Sequence, residues 1–169
     1  EGRRRIVGRL VQDIDRLETM VSNILDTTRI EEGELVLAPQ KLSLHEVTVS
    51  VVEELRPRAA EAGVELSVAG DPAVEIEIDE VALRSVLRNL IDNAIKASES
   101  RPGGRIRLEV AREGGRAKLE VRDDGVGFPP EQGEMLFEKF YRPGDEMQRP
   151  SRGSGLGLYL VRKFVELYG

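Results

Sequence analysis

Val7, Leu10, Ile14, Leu17, Val21 and Ile24 follow one another at spacings of 3, 4, 3, 4 and 3, and Thr28 continues the series. This is the seam of a heptad pattern, held for about three heptads. Arg9, Gln12, Asp13, Asp15, Arg16, Glu18 and Asn23 lie between the seam positions and form a polar back. A helix so apolar along one line must cover that line with its own domain or with another helix. The a/d seam is narrower than the usual core-facing stripe, which favours pairing with a second copy of the chain. Glu31, Glu32 and Gly33 end the helix, the glycine suiting a left-handed C-terminal stop.

Beyond a linker containing Pro39, the pattern changes to mixed helix and strand. Ser43 and Glu46 have the spacing of a capping box, opening a helix through Val47, Val51 and Leu55 toward Gly63, with Pro57 as a kink or break. Val64, Leu66 and Val68, then Val74, Ile76 and Ile78, alternate as two strands joined by a turn at Gly70, Asp71 and Pro72. Asp79 can cap a helix whose core face is Leu83, Val86, Leu87, Leu90, Ile91, Ala94 and Ile95. Pro102, Gly103 and Gly104 break it. Ile106, Leu108 and Val110 form a strand, which turns at Glu113, Gly114 and Gly115 into a partner through Ala117, Leu119 and Val121. A long loop follows, rich in glycine, proline and charge, with a helical patch at 135–141. A last helix over 156–168 has an apolar face of Leu160, Val161, Phe164, Val165 and Leu167. The expected fold class is α+β: a two-layer α/β sandwich with helices on one face of a mostly antiparallel sheet, preceded by a long amphipathic helix.

Composition narrows the function. Of 169 residues 40% are hydrophobic and 33% charged, which suits a folded domain with a real core. No apolar run approaches the roughly 18 residues of a membrane span. A net charge of -6 and 4% aromatic residues speak against nucleic acid as a partner. With no cysteine, a thiolate metal site is excluded and a cytosolic setting is mildly favoured.

Three segments carry candidate chemistry. Asn89 and Asn93 stand four apart, with Lys96 three further on, along one flank of a helix whose other flank is core. Amide oxygens can ligate Mg²⁺, and the lysine supplies a point charge for phosphate, although such a set alone also fits a solvated helix face. Asp123 ends a strand and leads into Gly125 and Gly127, where a carboxylate can accept from an adenine amino group and the backbone can approach a planar ligand. An acidic hairpin turn is the alternative there, but Pro129 and Pro130 cannot donate to a returning ladder. Gly153-Ser154-Gly155-Leu156-Gly157 precedes a helix, so its N–H groups and the helix N-terminus can form an anion nest; a plain flexible loop is the alternative. Between these segments, Phe137 and Phe140 can anchor a lid onto the core and leave Arg142 to reach an anion.

In order and spacing, Asn89-Leu90-Ile91-Asp92-Asn93-Ala94, Asp123-x-Gly125-x-Gly127, Phe137-x-x-Phe140 and Gly153-x-Gly155-Leu156-Gly157-Leu158 resemble the N, G1, F and G2 boxes of bacterial two-component sensor histidine kinases. The resemblance covers the chain from about Leu44 to the end. It implies the Bergerat-type ATP-binding sandwich shared with gyrase, Hsp90 and MutL. Residues 21–37, including Asp26 to Leu35, are similar to the second helix of the family's dimerisation hairpin and its exit. The implied organisation is 1–37 as that helix and linker, and 38–169 as the catalytic ATP-binding domain.

The resemblance also assigns roles. Asn93 ligates Mg²⁺, with Asn89 and Lys96 near the phosphates. Asp123 binds adenine, and Gly125 and Gly127 shape its pocket. Gly153, Ser154, Gly155, Leu156 and Gly157 wrap the triphosphate, and Arg142 touches the γ-phosphate. Relatives that split water carry a glutamate general base where this chain has Asn89, and an amide cannot accept that proton. The implied reaction is therefore transfer of the ATP γ-phosphate to a histidine imidazole. Implied partners are a second copy through the N-terminal helix and the receiver domain of a response regulator. The implied location is cytoplasmic, with any membrane anchor in parts of a parent protein outside these residues. The rival readings are a degenerate, non-catalytic dimerisation module and a self-contained ATPase of the gyrase type.

The chain departs from the family pattern at three points. The acceptor histidine followed by an acidic residue is absent, and His45, in the capping box, reads as a surface histidine. The family's two further strands after the last helix are not found beyond Tyr168-Gly169, which is expected to reflect either a cut or partly ordered piece or strands supplied from elsewhere. Asp124 stands where an asparagine is common.

Overall fold

The computed structural model describes residues 2–99, 101, 103–142 and 153–168, with backbone alone for 2–9, 11–13, 15 and 16. The side chains of Val7, Arg9, Gln12, Asp13, Asp15 and Arg16, together with Pro102, the loop centre 143–152 and Gly169, lie outside that description.

Helix α1 spans Gly2–Glu32. It ends in a Schellman motif: Glu34 N–H donates to Arg29 O at 2.9 Å and Gly33 N–H to Ile30 O at 3.2 Å, with Gly33 at φ 70. The seam residues Leu10, Ile14, Leu17, Val21 and Ile24 are all exposed, so the chain's own core does not cover them. The polar back is a different matter at Asn23, which is buried with Thr27. Asn23 lies where the last turns of α1 meet the rest of the chain.

The remainder is a two-layer arrangement. Strand β1 (Gln40–Ser43) pairs antiparallel with β3 (Glu75–Ile78), and β2 (Val64–Gly70), β4 (Gly104–Glu113) and β5 (Arg116–Asp123) form a second sheet in the order β2-β4-β5. The turn after Gly70 is present, but the strands it joins part into different sheets. β2 runs parallel to β4, which the crossover through helix α3 (Glu80–Ser98) permits. Strand β1 was not visible in the sequence: four residues, three of them polar, become a strand only through their backbone partners on β3. Gly114 and Gly115 turn β4 into β5 with φ 58 and 84, as a two-residue hairpin requires.

Helix α2 (Leu44–Glu61) starts with Ser43 Oγ accepting the Glu46 N–H at 3.2 Å. Contrary to expectation it continues through Pro57. The proline is exposed, so the carbonyl freed one turn earlier faces water, while buried Val51, Val52 and Ala59 hold the helix on both sides. Helices α2 and α3 pack on one face of the β2-β4-β5 sheet around Leu87, Ile91, Ile95, Ile106 and Leu108. Its opposite face carries ion pairs such as Lys118–Glu113 at 3.0 Å.

The core face read for α3 divides in two. Leu83, Leu87, Ile91, Ala94 and Ile95 enter the main core, whereas Ala82, Val86 and Leu90 meet Leu160, Val161 and Phe164 of α4 (Gly157–Tyr168), with Ile30, Leu35 and Leu37 packed against them. Val165 and Leu167, expected on the buried face of α4, are exposed at 58% and 52%. The patch expected to be helical at 135–141 is only a 3₁₀ turn at Met135–Phe137. Among the described residues no helix is long and apolar enough to cross a membrane.

Candidate functional site

The N-terminus of α3 is strongly fixed. Asp79 Oδ1 accepts from Ala82 N–H at 3.0 Å, and Oδ2 from Ala38 N–H at 2.9 Å, tying the exit of α1 to the start of α3. Burial alone raises the Asp79 carboxyl, but N–H donors from Ala38, Ala82 and Val81 outweigh it and hold the group below its ordinary 3.8. From this anchor α3 carries Asn89, Asn93 and Lys96 at half-buried positions along one flank. Asp92 of the same segment pairs with Arg58 of α2 at 2.5 Å and is thereby taken up in holding the layers together.

The two glycine segments meet that helix at different heights. At its C-terminal end, Gly125 is pressed against Ala97: a Cβ there would lie 2.7 Å from the Ala97 Cβ and 2.8 Å from its carbonyl carbon. Val126 N–H donates to Ala97 O at 3.1 Å, and Asp123 Oδ1 accepts from Gly125 N–H at 2.9 Å, leaving Asp123 exposed at the strand end. The chain does not return as a hairpin after Asp123. Asp124 faces the opposite way, meeting Arg105 at 3.4 Å while its carbonyl accepts from Arg101, which gives the aspartate at this position its own role.

Eight residues before Ala97, Asn89 meets the start of α4. A Cβ on Gly157 would stand 2.7 Å from Asn89 Oδ1. Gly155 has φ 71, and a Cβ there would fall 2.8 Å from backbone atoms of Phe140. Phe140 N–H donates to Gly155 O at 3.0 Å, so the lid stem and the glycine loop are paired through their backbones. Leu156 is buried and fixes the loop, and Ser154 Oγ accepts the Leu156 N–H at 3.3 Å. The glycines thus differ in what they require. Gly125, Gly155 and Gly157 admit no Cβ without displacement, Gly127 needs its φ of 64, and Gly153 faces open space.

The lid stem corrects one expectation. Phe137 is half-buried, but Phe140 is 62% exposed at φ 63, so it does not anchor the loop in the core. Its backbone does that, by pairing with Gly155. Arg142 lies exposed where the described stem ends.

Sequence reasoning missed a set of residues reaching this site from α1. Asn23 Nδ2 donates to Asn89 Oδ1 at 3.4 Å, Lys139 Nζ lies 2.8 Å from both Glu31 carboxylate oxygens, and the Tyr159 hydroxyl donates to Glu31 at 3.1 Å. The Lys139 hydrogen bond, aided by Tyr159, holds the Glu31 carboxyl below its ordinary range. The available signal was the spacing 23, 27, 30, 31, a second helix face beside the seam.

Residues 78–169 match the family described as histidine kinase-, DNA gyrase B-, and HSP90-like ATPase. The sensor histidine kinase MtrB of Mycobacterium tuberculosis is 33% identical over 167 residues, covering 98% of this chain and 29% of that protein. The chain therefore spans less than a third of the curated relative it matches. Among solved structures, a mycobacterial sensor histidine kinase, MprB, is 31% identical with a TM-score of 0.66, covering 78% of this chain and 81% of that one. Full-length ShkA in complex with AMPPNP is 30% identical with a TM-score of 0.76, covering 98% of this chain and 34% of that one.

Proposed function

The chain belongs to the histidine kinase-, DNA gyrase B- and HSP90-like ATPase family, and from that premise we propose that it is the ATP-binding catalytic region of a sensor histidine kinase. On this reading it passes the ATP γ-phosphate to a histidine carried on the dimerisation hairpin of the parent protein. Residues 1–37 supply that hairpin's second helix and exit, and 38–169 the catalytic domain.

The observation carrying the proposal is the close approach of Gly125, Gly155 and Gly157. Gly125 and Gly157 bring backbone against Ala97 and Asn89 of α3, and Gly155 brings it against the backbone of Phe140, each at a distance where an added Cβ would force a shift. A nucleotide is held in this way, by N–H groups and shape more than by charge. Asp123 would accept from the adenine amino group, with Gly125 and Gly127 shaping its pocket. Gly153, Ser154, Gly155, Leu156 and Gly157 would wrap the triphosphate. Asn93 would offer its amide oxygen to Mg²⁺, the rest of the ion's shell coming from phosphate and water. Mg²⁺ supplies charge neutralisation on the transferring phosphoryl group. Lys96 adds a positive charge near the phosphates, and Arg142 reaches the γ-phosphate from the lid. Asn89 cannot accept a proton from water, which favours transfer over hydrolysis.

The exposed α1 seam fits a second copy of the chain, and the receiver domain of a response regulator would take the phosphate onward. The test is titration with Mg-ATP, followed by phosphotransfer to a supplied acceptor-helix domain. We expect binding, very slow intrinsic hydrolysis and a labelled acceptor. A folded chain that binds no nucleotide refutes the assignment, and rapid turnover by the isolated chain would replace it with an ATPase.

A further inference from the structure

Three consecutive peptide groups lead from the end of β5 into the first glycine segment, and they are held in two different ways. The Asp124 N–H donates to Arg105 O on β4 at 3.1 Å, and the Val126 N–H donates to Ala97 O on α3 at 3.1 Å. Main chain thus fixes the outer two groups. Side chains hold the middle one, between Asp124 and Gly125. Its carbonyl accepts from the Arg101 guanidinium at 2.9 Å, and its N–H donates to Asp123 Oδ1 at 2.9 Å. In a trans peptide the C=O and N–H point in opposite directions. A cation therefore stands at one end of a single peptide dipole and a carboxylate at the other, and each strengthens the bond that the other makes. Glycine at 125 tolerates either sign of φ and would let this group turn over, which breaks both bonds. Arg101 is itself set by the turn before β4, where its N–H donates to Ser98 O at 2.9 Å and its carbonyl accepts from Gly104 N–H at 3.1 Å. The neighbouring Arg105–Asp124 pair differs: it joins side chains 75% and 52% exposed at 3.4 Å, and contributes little.

We propose that Arg101 is a positioning residue for adenine recognition: it fixes the Asp124–Gly125 peptide, which engages Asp123 Oδ1 and leaves Oδ2 to accept from the adenine amino group. The link to adenine rests on the functional reading above, whereas the hold on the peptide does not. Arg101 lies 23 residues before Asp124 and outside every segment that the sequence pattern singled out. Its contact is exposed to solvent, so losing it weakens binding by a modest factor and does not abolish it.

The test compares Mg-ATP with the Mg complex of purine riboside triphosphate, which lacks only the 6-amino group, on the full 169-residue chain. Arg101→Ala should weaken Mg-ATP binding about threefold to tenfold and binding of the amino-free analogue by less than about twofold. An equal loss for both nucleotides is what a merely loosened pocket would give, and it overturns the proposal, as does no loss for either. Arg105→Ala removes the same charge beside the same residue but spares the carbonyl contact, and should bind Mg-ATP within about twofold of the parent chain. A loss as large as that of Arg101→Ala would make the effect one of long-range charge and overturn the proposal. Without nucleotide, exchange of the Gly125 amide with water should quicken about threefold to tenfold in Arg101→Ala, and unchanged exchange overturns the hold on the peptide. If the unsubstituted chain does not distinguish the two nucleotides, or binds neither, the adenine role of Asp123 falls, and the Gly125 exchange alone decides the hold.

Discussion

Gly155→Ala tests the cradle most directly. The residue sits at φ 71, and its Cβ would come 2.8 Å from the Cα and carbonyl carbon of Phe140. The left-handed backbone costs an ordinary residue about 1–2 kcal/mol. Crowding against backbone, which cannot rotate aside, adds about 1–3 kcal/mol. Together these come to roughly 2–5 kcal/mol. In the free protein the loop relieves this by moving away, breaking the Phe140 N–H bond to Gly155 O. Tm should then fall by only a few degrees or less, because the opening is local. A nucleotide that needs the loop in place must restore the strained geometry, so even the lower figure predicts about a 25-fold loss of Mg-ATP affinity. Calorimetric titration measures the loss, and amide exchange at Phe140 reports the broken pairing. Gly153→Ala is the control, since that position has open space and no left-handed φ, and it should bind nearly as the unsubstituted chain does. If Gly155→Ala binds as well as Gly153→Ala and protects the Phe140 amide, the close approach does not govern nucleotide binding.

Other variants separate recognition from stability. Asp123→Asn keeps an oxygen to accept the Gly125 N–H but loses the charge and presents N–H donors, so Tm should hold while Mg-ATP affinity drops at least about tenfold, as expected for a charge-assisted hydrogen bond; unchanged affinity removes the adenine assignment. Asp79→Ala should cost about 1–2 kcal/mol in denaturant unfolding at pH 7 through the lost cap. Because the folded carboxyl titrates below its ordinary 3.8, its contribution is complete above that value and fades as pH falls through the lowered pKa. A difference between Asp79→Ala and the parent that persists undiminished near pH 2 would contradict this sign. Leu87→Ala, at a position with 0% exposure, should cost about 2–5 kcal/mol of unfolding free energy, and a loss under 1 kcal/mol would mean that the core collapses around the gap.

Much of the architecture could be read from the chain because its signals are local. The Gly114-Gly115 turn, the caps at Ser43 and Asp79, and the αL stop at Gly33 depend on conformational preferences of a few residues, and each stands as expected. The glycine segments were legible for the same reason: Gly127 and Gly155 mark backbone that other residues resist. The tertiary structure decided what depends on neighbours distant in sequence. Strand β1 exists through its pairing with β3, and Pro57 stays within α2 because packing holds both sides. The apolar stripe of α3 divides between two clusters because α4 and the exit of α1 take one edge of it. Asn23 and Glu31 look like solvated helix polarity until their partners 66 and 108 residues away come into place. Periodicity shows that a face will be covered; the long-range pairing of faces determines what covers it.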